Sequence, residues 1–95
     1  MIKLKVRNMT SAKGNKVANQ FEIDMDNGKY QSTTFQSYKT LIAKKIWTTG
    51  VTVLDKNSWD YSVTTGKYRN QFLNENKKET EAKIKSGEYR LVNLN

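Results

Sequence analysis

The stretch WDYSVTTGKYRNQFL, residues 59–73, is where the pattern of this 95-residue chain changes, and its reading decides the fold. Before it, apolar side chains recur at every second residue. Within it, the hydroxyls of Ser62 and Thr64 stand where a helix N-cap belongs, and Tyr68, Phe72 and Leu73 share one face of a 3.6-residue repeat. The spacing predicts a helix beginning near Ser62, with Tyr68 and Phe72 one turn apart and buried together. Gly66 weakens that helix by up to ~1 kcal/mol relative to Ala. Trp59 and Tyr61 are expected to pack where strands give way to helix, so the stretch reads as a clasp between the two. Lys67 and Arg69 are expected to lie off the apolar stripe, facing solvent or a partner.

Upstream, IKLKVR (2–7) alternates strictly, with Ile2, Leu4 and Val6 on one face and Lys3, Lys5 and Arg7 on the other, which is a half-buried strand. A polar loop follows over 8–16. VANQFEIDM (17–25) alternates again, with Val17, Phe21, Ile23 and Met25 expected to face inward and Gln20, Glu22 and Asp24 outward. The turn signal DNG (26–28) joins it to a third strand around residues 29–35. QSYKTLIAKKIW (36–47) fits strand or helix. Its β-branched Thr40, Ile42 and Ile46, with TTG (48–50) and VTVL (51–54) after it, favour a further hairpin.

Downstream, Asn76 and Glu79 stand in capping-box spacing, Glu79–Lys83 and Glu81–Lys85 are favourable pairs one turn apart, and Gly87 suits a helix end. Residues 88–94 read as a last strand. The expected fold is α+β: one basic domain over 1–95, with an antiparallel sheet of about five or six strands and two helices in the C-terminal third.

Seventeen Lys and Arg oppose nine Asp and Glu, a net charge of +8. A field of that size steers association with phosphates, so a polyanion is the leading partner class. The surplus is mostly lysine, which suits diffuse phosphate attraction better than bidentate reading of bases. Cys and His are both absent, which removes disulfides, thiol nucleophiles and the commonest general base and metal ligand. Asp24, Asp26, Asp55 and Asp60 fall at turns or in loops, and no phosphate-cradling GxxxxGK[ST] motif is present. The chain is therefore expected to be no enzyme and to use no cofactor or metal. It has no apolar run near the ~20 residues of a membrane span and no signal-like apolar segment at its start.

Charge is also uneven along the chain. Residues 1–16 carry five cations and no acid, and residues 29–50 carry four lysines and no acid. The candidate nucleic-acid contacts are Lys3, Lys5 and Arg7, then Lys39, Lys44 and Lys45, and finally Lys67 and Arg69, with loop residues Lys13 and Lys16 nearby. A structural reading competes with this at the first strand. There Glu22 and Asp24 can pair with the cations across the hairpin, or the lysines can simply protect a sheet edge. Cations also sit next to aromatics, as in Lys29–Tyr30 and Tyr38–Lys39, but neighbours along a strand point to opposite faces.

At NQFEI (19–23), FQSY (35–38) and residues 59–73 the chain resembles a group of small uncharacterised proteins of phages and mobile elements of low-G+C Gram-positive bacteria. The resemblance implies a viral or plasmid origin and a bacterial cytoplasm, and brings no activity or site list with it. It adds a second function class beside nucleic-acid binding: an anti-defence inhibitor, of the anti-CRISPR kind, that binds a host protein.

Overall fold

A computed structural model describes residues 2–95. In chain order its elements are β1 (Lys3–Thr10), β2 (Lys16–Asp26), β3 (Gln31–Ser37), β4 (Thr40–Ile46), β5 (Val51–Asp55), α1 (Val63–Leu73), α2 (Lys77–Ser86) and β6 (Tyr89–Val92). The strands form one sheet in the order β1-β2-β3-β4-β5-β6. Four pairings are antiparallel hairpins, and β5–β6 is parallel. The parallel pair follows from the two helices, which carry the chain back across the sheet before β6 begins. The α+β expectation holds, with a mixed sheet.

The local signals sit where the sequence put them. Ser62 caps α1 by accepting from the Thr65 N–H, and Asn74 ends it in the left-handed conformation. Asn76 and Glu79 form a full capping box on α2, and Gly87 closes it at φ 85°. Between the helices, the nearly buried Glu75 carboxylate accepts from Lys83 Nζ (2.7 Å), Thr80 Oγ1 (2.5 Å) and the Tyr89 hydroxyl (2.8 Å), tying α2 to β6.

Both helices lie on one face of the sheet. Phe35, Ala43 and Leu54 point up from it, and Tyr68, Phe72 and Leu73 come down from α1. The Phe35 and Phe72 rings meet at 5.7 Å. Ile42 joins this core at a bulge in the β3–β4 pairing, and Trp59 packs at its margin as expected. Tyr61 departs from expectation and is half exposed.

A larger departure concerns β1 and β2. The register places Arg7, Glu22, Phe35, Ala43 and Leu54 in one row, so the charged side chains of the first hairpin share the helix-covered face. Phe21, Ile23 and Met25 therefore lie on the opposite, uncovered face, with Leu4 and Val6, which are 67% and 62% exposed. In β1 the cations share the face of buried Met9, and within β2 the phase changes at Asn19. Its φ of 65° puts an irregular residue into β2, so Val17 packs on the core while Gln20, not Phe21, is buried. One irregular residue exchanges the faces of everything beyond it.

Buried and hydrogen-bonded carboxylates set the acid stability. Burial pushes the Glu75 and Asp55 carboxyls up, but hydrogen bonds, led by Lys83 and by the Leu94 N–H respectively, outweigh it and hold both below their usual range. The Arg7 hydrogen bond likewise lowers Asp24. At low pH the unfolded chain takes up protons on these groups first, so acid favours unfolding. Stability is expected to be flat from neutral pH to about 5 and to fall below about 4, near ordinary carboxylate pKa values. Denaturant melts across that range check it, and the Glu75→Gln variant should show a shallower fall. Tyr89 shifts the other way. Burial and its bond to Glu75 push it up to about 12, so its contribution is present below pH 10 and lost as pH rises through that higher value.

Candidate nucleic-acid interface

The eight sequence candidates do not form one surface. Lys3, Lys5 and Arg7 stand opposite Asp26, Asp24 and Glu22 in the β1–β2 register. Arg7 forms ion pairs with both Glu22 (3.1 Å) and Asp24. Lys45 faces the helices, donates to the Phe72 carbonyl (2.6 Å) and lies over the Phe72 ring, and burial lowers its pKa. Lys44 points to the open face, over Tyr30. Lys67 is exposed on α1 and lies against Tyr68.

Arg69 corrects the sequence reading outright. It is 1% exposed and donates to the Trp59 carbonyl, to Asp60 and to Asn70, with its guanidinium over the Trp59 ring. Lys77 also binds Asp60, at 2.7 Å. Arg69 is thus a strut between α1 and the segment leading into it, and it presents no free charge to a partner.

Of the eight, Lys39 alone shares one end of the sheet with further exposed lysines, and the topology explains how. An up-and-down strand order brings the β1–β2 loop, the β3–β4 turn and the end of β5 to one end of the sheet. Lys13, Lys16, Lys39 and Lys56 come from those three places, and all four are exposed. Across the strands, at ~4.8 Å each, the three places span roughly 15–20 Å, and the β1–β2 loop projects further along the strand axis, because its pairing runs on to Thr10–Lys16 while β3 ends opposite Gln20. The acidic side chain nearest in the chain, Asp55, is 1% exposed and accepts from the Leu94 N–H.

The backbone at this end is well held. Ser11 and Asn15 close the first loop with a 2.8 Å backbone bond, and Gly14 turns it at φ 82°. The Lys56 N–H donates to Val92, and the Asn95 side chain bonds both the N–H and the carbonyl of Leu41. The cations are therefore displayed from a fixed frame.

Tyr38 stands beside Lys39 at this end of the sheet. It occupies the first position of the two-residue loop between paired Ser37 and Thr40, and its φ is 56°. Hairpin loops with positive φ usually take Gly, Asn or Asp there, because a side chain costs about 1–2 kcal/mol. Two bonds secure the strained residue: its N–H donates to the Asn19 carbonyl (2.6 Å), and Gln36 Nε2 donates to its own carbonyl (2.7 Å). The ring is 53% exposed. Sequence reasoning set Tyr38 aside by treating Tyr38 and Lys39 as neighbours along a strand, whereas they form a turn that carries none of the usual turn residues. Lys56 was missed because nothing local ties it to Lys13 and Lys39.

Among the described residues no group of acidic side chains is arranged to hold a metal ion, and no helix is long and apolar enough to cross a membrane. Residues 4–88 match a family described as Family of unknown function (DUF8033), and the chain belongs to that family. No curated protein and no solved structure matches the chain.

Proposed function

For this member of the family we propose a non-catalytic binding module that takes single-stranded nucleic acid across the basic end of its sheet, in a bacterial cytoplasm. The observation that carries the reading is Tyr38, a strained and exposed ring beside Lys39, at the end of the sheet that also carries Lys13, Lys16 and Lys56, four lysines with no ion pair among the described residues. A large side chain held where glycine belongs points to a use outside the fold. A base stacked on Tyr38, with Lys13, Lys16, Lys39 and Lys56 against the flanking phosphates, makes a sequence-tolerant site. Lysine, as a mobile point charge, fits that role.

The test is a fluorescence titration with labelled oligothymidylate at several salt concentrations. Four phosphate contacts give a slope of log affinity on log salt near −3, or roughly a 50-fold loss between about 50 and about 200 mM. Absence of binding at low salt, or binding indifferent to salt, overturns the reading. The second reading, an inhibitor of a host defence protein, draws its support from the uncovered sheet face. A pull-down before and after nuclease treatment separates the two: partners lost with nuclease favour nucleic acid, and a single stoichiometric protein that survives favours the inhibitor.

A further inference from the structure

The first strand is a free edge of the sheet, because β1 pairs with β2 alone. Backbone N–H and C=O groups on its outer side are open to another strand. Leu4 and Val6 extend the uncovered apolar face to that edge. On the other face, Lys3 and Lys5 carry no ion pair among the described residues, although Asp26 and Asp24 stand across from them. Those carboxylates are engaged elsewhere: Asp24 by Arg7 and Thr33, Asp26 by the Gly28 N–H and Gln31.

We propose that β1 is a docking edge for an extended segment of another protein whose residues alternate between acidic and apolar. Added to the sheet, such a strand places its acids beside Lys3 and Lys5 and its apolar residues beside Leu4 and Val6. Charge disfavours a second copy of this chain. Antiparallel self-pairing centred on Leu4, Lys5 or Val6 sets cationic positions 3, 5 and 7 opposite one another, and like charges directly opposite are destabilising. A register slipped by one residue sets lysine against Leu4 or Val6. The edge thus disfavours itself and basic strands, and favours an acidic one.

This surface is separate from the basic end, so the two proposals stand or fall independently. The probes are two synthetic peptides as long as β1 (8 residues), one alternating Glu and Val and the other Lys and Val. The Glu–Val peptide is expected to bind about tenfold more tightly, from two favourable pairs in place of two unfavourable ones. Bound, it should slow hydrogen exchange at β1 amides. The double variant Lys3→Gln, Lys5→Gln should lose the preference, while Tyr38→Gly should keep it. Circular dichroism confirms that both variants are folded. Equal binding of the two peptides, or protection that spares β1, overturns the proposal.

Discussion

Replacing Arg69 with alanine is expected to destabilise the protein by roughly 3–5 kcal/mol, the range for breaking a buried ion pair by removing one partner. The guanidinium is 1% exposed and makes three hydrogen bonds, to Trp59, Asp60 and Asn70. Without it the Trp59 carbonyl loses its donor, and the space between α1 and the loop before it is left unfilled. Lys77 still holds Asp60, which places the cost nearer the lower end of that range. Arg69→Lys should recover only part of the loss, since an ammonium cannot span the three acceptors that the planar fork reaches. Urea unfolding of both variants checks this. A change below ~0.5 kcal/mol, typical of a surface site, would return Arg69 to the list of partner contacts.

The second large effect is on binding. Tyr38→Gly is expected to weaken oligothymidylate binding roughly 5- to 150-fold, the equivalent of one stacked base at ~1–3 kcal/mol. The same change should leave stability unchanged or raise it. Glycine adopts the positive φ freely, which offsets its ~0.5–1 kcal/mol entropic cost, and the lost ring is half exposed in the fold. Opposite movements of affinity and stability distinguish a binding residue from a structural one. Lower stability with unchanged affinity would make the ring part of the packing.

Much of the architecture is legible in the sequence because its signals are local. Ser62, the Asn76–Glu79 box and Gly87 act within one or two turns, and period-two alternation marks β1 and β2 as strands. Which face a sheet buries is not a local property. Alternation in β1 and β2 separates apolar from charged side chains. The helices settle over Phe35, Ala43 and Leu54, however, and the register then puts the charged set on their side. Asn19 reverses the phase within β2 through a backbone angle that its side chain does not announce.

Arg69 was misread for another reason. Thr65, Tyr68, Arg69 and Phe72 fall at the spacing of a buried helical stripe, and all four are buried. The sequence reading draws the stripe through Tyr68, Phe72 and Leu73 alone and so sets Arg69 off it, whereas the buried face is wide enough to include Thr65 and Arg69. Lys13, Lys16, Lys39 and Lys56 come to one end of the sheet by strand order alone, a long-range property.

The measurement closest to the central claim compares the protein with its Lys13→Gln, Lys16→Gln, Lys39→Gln, Lys56→Gln variant in the salt titration. If the phosphates lie along that end of the sheet, the variant should lose most of the slope of about −3 and bind weakly even at low salt. A variant that keeps the parent's slope would show that the nucleic acid lies elsewhere or does not bind through charge, and the account would fail.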